Sequence, residues 1–194
     1  MKQTLTQTLA AWLEEGRTRI GQIVILETRD GWELRHADDL AREDLAPHAG
    51  AGAARHLANL DDTGAYRPLK TAPNLRHGWR LALPDVDELR LALDYFYPAM
   101  TGVWLSHMRG GLPPVPFRQT LDRQTGMYRI TQKITDAQAR TMIDTFCAGC
   151  LKCRLWDAQT PPEDAHRIPL LCQEACNLLV AEARKVVKAG ASKE

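Results

Sequence analysis

All five cysteines of this 194-residue chain fall within one short stretch near its C-terminal end. They read Cys147-Ala-Gly-Cys150-Leu-Lys-Cys153, then Cys172-Gln-Glu-Ala-Cys176. Two compact groups with an insert between them form a pattern that a metal ion or an iron–sulfur cluster requires. Each group supplies thiolates from a short piece of backbone, and the fold brings the groups together. The fold of this region is therefore constrained to deliver sulfur from two places to one point.

The rest of the chain is long enough to bury a core without cross-links. The N-terminal residues contain no apolar signal-like run, and no apolar stretch reaches the length of a membrane span. The expectation is a cytoplasmic chain in which thiols stay reduced, and clustered thiols in that setting point to metal binding rather than to disulfides.

Net charge is +1, yet its distribution is uneven. No acidic residue lies between Asp62 and Asp85, a span that holds Arg67, Lys70, Arg76 and Arg80. These four cations form a candidate contact for an anionic partner, because arginine pairs with carboxylates through two parallel hydrogen bonds. An ordinary solvated loop, pinned to its own domain by Arg67 and Arg76, accounts for them equally well. Nucleic acid is not an expected partner, and neither is a membrane.

Periodicity predicts an α+β fold, mostly helical, with a small antiparallel sheet and a C-terminal Cys-rich helical segment. Residues 4–15 read as an amphipathic helix ended by Gly16. Residues 20–27 and 32–36 read as a hairpin around Arg29-Asp30-Gly31. Residues 38–58 look helical but interrupted at Pro47 and Gly50. Further expectations are a strand at 79–83, a helix from Pro84-Asp85 to Tyr95, and helices at 117–124 and 136–146. A final helix is expected over Cys172 to Lys188. Gly110-Gly111-Leu112-Pro113-Pro114 breaks the pattern. The expected division is residues 1–112, an α+β domain carrying a basic loop at 66–80, and residues 113–194, the helical metal-binding domain.

Within the cysteine stretch, Cys147 and Cys150 sit at a helix end, and Cys172 and Cys176 have the i, i+4 spacing of one helix face. Four sulfurs result, with Cys153 as a spare or alternate. Spacing alone admits both zinc and an iron–sulfur cluster. The apolar insert, with Leu155, Trp156, Ile168, Leu170 and Leu171, suits a cluster that must exclude water. A thiol redox protein without metal is a third possibility. The six histidines show no i, i+4 pair and read as surface or satisfied core residues; His166, inside the insert, is the one near the thiols. Asp38-Asp39 and Asp61-Asp62 read as cap or turn carboxylates. No Gly-rich phosphate loop, nucleophile elbow or helical zinc-protease motif is present, so no catalytic residue is named.

The pattern Cys147-x-x-Cys150-Leu-Lys-x-x-Leu155-Trp156, and after it Ile168-Pro169-x-x-Cys172-x-Glu174-Ala175-Cys176-Asn177-Leu178-Leu179, resembles the [4Fe–4S]-binding domain of the DR2241 family. Tyr66-Arg67-Pro68-Leu69-Lys70-Thr71-Ala72-Pro73-Asn74-Leu75, Gly78-Trp79 and Gln124-Thr125-Gly126-Met127-Tyr128-Arg129 resemble the domain that accompanies it. The resemblance implies a [4Fe–4S] cofactor on Cys147, Cys150, Cys172 and Cys176. It also implies an association with CbiX-type cobaltochelatases, which insert metal into sirohydrochlorin in cobalamin synthesis. Residues 1–60 are too few for such a chelatase domain, so the implied role is electron transfer or a redox accessory function. A chelatase, a redox partner or an anionic tetrapyrrole would be the partner. The alternative is a zinc- or cluster-stapled module that binds another macromolecule.

Overall fold

A computed structural model of the chain describes residues 4–61, 63–67, 75–124, 126–147 and 164–191. The chain divides into two compact units, residues 1–109 and 110–194. Among the described residues, no helix is long and apolar enough to cross a membrane.

The first unit is built on a five-stranded sheet. Its strands are β1 (Arg19–Ile20), β2 (Ile23–Thr28), β3 (Gly31–His36), β4 (Ala46–Ala49) and β5 (Trp79–Leu83), in the order β1-β2-β3-β5-β4. β2 and β3 form the expected hairpin, with Thr28 opposite Gly31. Gly31 has a φ of +133°, and a Cβ there would collide with the carbonyl oxygen of Leu83. Only glycine lets β3 begin this close to the neighbouring strand. The sheet is antiparallel except where β4 joins β5 in parallel, His48 opposite Leu81. The 38–58 segment is thus not a broken helix. It is a 3₁₀ turn (Ala37–Asp39), strand β4 and a short helix α2 (Ala51–Leu57). Pro47 fits this arrangement because β4 is an edge strand, where a missing N–H costs little.

Period-two burial orients the sheet. On β5, Trp79, Leu81 and Leu83 are buried while Arg80 and Ala82 are exposed. The sheet is covered by α2 and by α3 (Val86–Phe96), and α1 (Leu5–Glu14) and α4 (Met100–Met108) pack against α3. α1 starts with a reciprocal cap. Thr4 Oγ1 accepts from the Gln7 N–H at 3.2 Å, and Gln7 Oε1 accepts from the Thr4 N–H at 2.8 Å, which satisfies two otherwise orphaned donors. α3 is capped by Asp85, whose Oδ1 accepts from the Glu88 N–H at 2.8 Å. Glu88 in turn accepts from the Ala51 N–H at 2.7 Å. It supplies the carboxylate that α2 lacks, since Gly50 has no side chain to cap with. Leu9, Ile23, Ile25, Leu34, Leu89 and Leu93 fill the core, and Trp79 stacks on Phe96 with ring centroids 5.0 Å apart.

The second unit is mainly helical. It comprises β6 (Val115–Pro116), α5 (Phe117–Asp122), α6 (Tyr128–Thr131), α7 (Asp136–Met142), β7 (Pro169–Leu170) and α8 (Asn177–Ala191). A π-helical turn (Ile143–Cys147) continues α7, and a 3₁₀ turn (Ala165–Arg167) precedes β7. β6 and β7 pair antiparallel. Thr135 and Gln138 cap α7 reciprocally. Phe117, Leu121, Met127, Ile143, Ile168 and Leu179 make the core.

The stacked Trp79 is the largest fully buried side chain of the first unit. Trp79→Ala is expected to destabilise it by about 3–5 kcal/mol through lost transfer energy and the cavity left behind. Chemical denaturation followed by circular dichroism checks this.

Candidate metal centre

Three of the five cysteines lie among the described residues, each delivered by a different device. Cys147 is the last residue of the π turn and is buried. A π turn inserts one extra residue into a helix and re-aims the chain beyond it. The reading of residues 136–146 as one helix misses this widening. Cys172 lies just past β7 and is also buried, with Leu170 and Leu171 behind it fully enclosed. Cys176 immediately precedes α8. The expected helix over Cys172–Lys188 therefore begins five residues late, at Asn177, and Cys172 and Cys176 do not share a helical face. They bracket a loop.

That loop is held by α5. Thr120, fully buried, donates from Oγ1 to the Cys172 carbonyl at 3.1 Å. Its own carbonyl accepts from the Ala175 N–H at 3.1 Å. One residue thus clasps both arms of the loop. Just beyond α5, Arg123 Nη1 donates to the Gln173 carbonyl at 2.9 Å. Gln124 Nε2 donates to the Ala175 carbonyl at 3.2 Å. Extended backbone with buried polar groups is stable only when those groups find partners, and here the end of one short helix supplies them.

Cys176 acts as the cap of α8. Its carbonyl accepts from the Val180 N–H at 3.0 Å, the first bond of the helix. Burial pushes the Cys176 thiol up; the Leu179 and Leu178 N–H groups, which bond to its sulfur, pull it down; Cys147 and Cys172 push it up again. The three thiols are therefore near enough to feel one another's charge, and the net result keeps Cys176 protonated in the absence of a cation. A bound cationic group reverses this balance, since coordination deprotonates the thiol. Buried sulfurs and N–H donors aimed at one of them are the surroundings that hold and tune an iron–sulfur centre. The residues present fit such a group.

His166 closes the far end of the insert. Its Nε2 lies 2.9 Å from the Ile134 carbonyl, and Ala165 donates its N–H to Asp136 Oδ1 at 3.0 Å. These bonds tie the 3₁₀ turn to the start of α7. Cys150 and Cys153, with Trp156, lie outside the described residues, as does Lys70. Of the other three cations, Arg67 is buried, and burial lowers its pKa against the opposing pull of Tyr97 and Asp61. Arg76 is exposed. Arg80 is exposed on the open face of the sheet, 3.9 Å from Glu33. Arg67 thus points inward while Arg76 and Arg80 face solvent.

The sequence reading passes over Thr120, Arg123 and Gln124. Gln124 stands in a quoted motif, but nothing in its spacing says that it braces a loop fifty residues later. Thr120→Val keeps the shape of the side chain and leaves the buried Cys172 carbonyl without that donor. It is expected to cost about 1–3 kcal/mol and to speed loss of the bound centre about tenfold or more. Bleaching of the visible absorption under a chelator, compared with wild type, measures this.

Residues 5–108 match the family model of the DR2241 stabilising domain, and residues 109–185 match that of a 4Fe-4S iron–sulfur cluster binding domain. No curated protein matches. The crystal structure of DR2241 from Deinococcus radiodurans is that of a multi-domain protein with structural similarity to chelatases and two additional novel domains. This chain is similar to it with a TM-score of 0.64 and 32% identity over 94% of its own length. It spans 41% of that protein. The cluster-binding match and the fit of the thiol site make this an iron–sulfur protein of the [4Fe–4S] type, and the match over more than half its length places the chain in the DR2241 family.

Proposed function

We propose that this chain is a cytoplasmic one-electron carrier or redox accessory that works beside a tetrapyrrole chelatase of the CbiX type, in cobalamin synthesis. The observation that carries this reading is the group of two buried thiols and the half-buried Cys176, whose sulfur is met by the backbone N–H groups of Leu178 and Leu179. The chelatase connection draws its support from the similarity of DR2241 to chelatases. Cys147, Cys150, Cys172 and Cys176 are the proposed ligands, with Cys153 as the spare. A bound [4Fe–4S] centre supplies one-electron chemistry, with a potential set by burial and by hydrogen bonds to sulfur.

The chain's own residues set those conditions. Ile168, Leu170 and Leu171 exclude water from one side. The Leu178 and Leu179 N–H groups spread the thiolate charge of Cys176. Thr120 fixes the distance between Cys172 and Cys176 by holding both ends of their loop. A rigid ligand loop lowers the reorganisation that accompanies a change of charge. Arg76 and Arg80 remain the candidates, with Lys70, for contact with the carboxylates of a tetrapyrrole. Arg67 is buried, with Tyr97 and Asp61 as its electrostatic partners.

A second reading has its own observation. The described thiols come from the end of the π turn, from the second residue past β7 and from the cap of α8, so a bound centre staples three elements whether or not electrons pass. In that reading the chain is a cluster-stapled module that docks on a partner.

One measurement tests the centre that both readings share, and a second separates them. Anaerobic protein is expected to carry four irons and four sulfides, and Cys147→Ala, Cys172→Ala and Cys176→Ala are each expected to lose them, while Cys153→Ala keeps them; EPR of the reduced protein and sulfide analysis check this. In a cobalt-insertion assay with a CbiX-type chelatase and sirohydrochlorin, the reduced loaded chain is expected to raise the rate, and the Cys172→Ala chain is not. Equal rates with loaded and cluster-free chain would leave the structural reading standing.

A further inference from the structure

The first unit holds a second group of metal-binding side chains, far from the cysteines in sequence. β3 and β5 pair antiparallel with Arg35 opposite Arg80, so the end of β3 lies beside the start of β5. That register brings His36, the last residue of β3, to His77, just ahead of β5. Their ring centroids are 3.9 Å apart, with the planes tilted by 49°. The 3₁₀ turn after β3 adds Asp39. A ring nitrogen of each histidine and a carboxylate oxygen of Asp39 all lie within 4.8 Å of one another. We propose that His36, Asp39 and His77 bind one divalent transition-metal ion of the Zn²⁺ or Co²⁺ class, at a site distinct from the thiol centre.

Each ligand is oriented by its neighbours. Asp39 is buried, and its Oδ2 accepts from the Gly78 N–H at 2.6 Å. That bond fixes the carboxylate and leaves Oδ1 toward His77, whose Nδ1 is 3.7 Å away. His36 is fully buried. Its Nδ1 accepts from the Asp38 N–H at 3.2 Å, while its Nε2 is buried with no hydrogen-bond partner. A buried ring nitrogen with nothing to bond is rare in a folded protein, and metal ligation satisfies it. Binding through Nε2 moves the ring proton to Nδ1, which gives up the Asp38 N–H bond and turns to the exposed Asp38 carboxylate, 3.7 Å away, the kind of outer partner that ligating histidines use.

Two imidazoles and one carboxylate suit zinc, cobalt, nickel or ferrous iron, and disfavour calcium and magnesium, which take all-oxygen shells. His77 is 38% exposed, which gives an ion a way in and leaves coordination positions to solvent. One competitor is built in. Arg42 Nη1 sits 3.3 Å from Asp39 Oδ1. The same guanidinium also grips Asp44, with Nε and Nη2 at 3.1 and 3.0 Å from its two oxygens. It can release Asp39 without losing its charge partner.

The test uses the full chain with its iron–sulfur centre intact, dialysed against Zn²⁺, with zinc and iron counted separately. The expected result is one zinc per chain bound without loss of iron, together with a higher melting temperature for the first unit. His77→Ala, at a partly exposed position, is expected to weaken zinc binding about tenfold or more with the fold retained by circular dichroism. Arg42→Gln is expected to tighten it, an effect that a purely structural role for this cluster does not produce. His48→Ala serves as the control and is expected to change nothing. Zinc uptake that survives both His77→Ala and Asp39→Asn overturns the proposal, as does zinc that enters only as iron leaves or a folded chain that takes up none.

Discussion

The burial of sulfur charge governs the second unit. A thiolate in an apolar interior is unstable unless a cation or hydrogen-bond donors meet it. Cys176 shows the opposing forces: burial and two neighbouring sulfurs act against ionisation, and two N–H groups at the start of α8 act for it. The rest of the unit is arranged to keep these groups in place. β7 and the two leucines after its first residue anchor one arm of the ligand loop, α8 anchors the other, and Thr120 holds both. The helix that carries Thr120 is only six residues long. Its importance lies in the bonds it makes to the loop rather than in its own stability, since a helix that short has almost none in isolation.

Much of this is legible from the residues. The Pro84-Asp85 pair places the start of α3, and the Arg29-Asp30-Gly31 turn places the hairpin, because each is a local signal whose physics operates within a few residues. The failures also share a cause. Cys172 and Cys176 have helical spacing, but the backbone between them bonds to Thr120, Arg123 and Gln124 instead of to itself. Those partners are distant in sequence, and no local pattern announces them. The same holds for residues 46–49, which resemble part of a helix until β5 offers its open edge. His36 and His77 read as ordinary core or surface residues because no short spacing links them; only the register of β3 on β5 does.

Each unit closes its helix ends in more than one way. α1 and α7 carry their own reciprocal caps. α2 borrows a carboxylate from Glu88 of α3, and α8 uses a cysteine. The first kind is written in four consecutive residues and is robust to changes elsewhere. The borrowed cap of α2 binds one helix to another, so that α2 is stable only where α3 has docked.

The capping role of Cys176 has a consequence for dynamics. A thiol is a weak hydrogen-bond acceptor, whereas a metal-bound thiolate is a strong one. The first turn of α8 is therefore firmer when the sulfur carries charge than when it carries a proton. The backbone amides of Leu178 and Leu179 become reporters of the centre's state: their exchange with solvent slows or quickens with the charge on one sulfur. Loading of the centre is in this way written into the opening rate of the helix end.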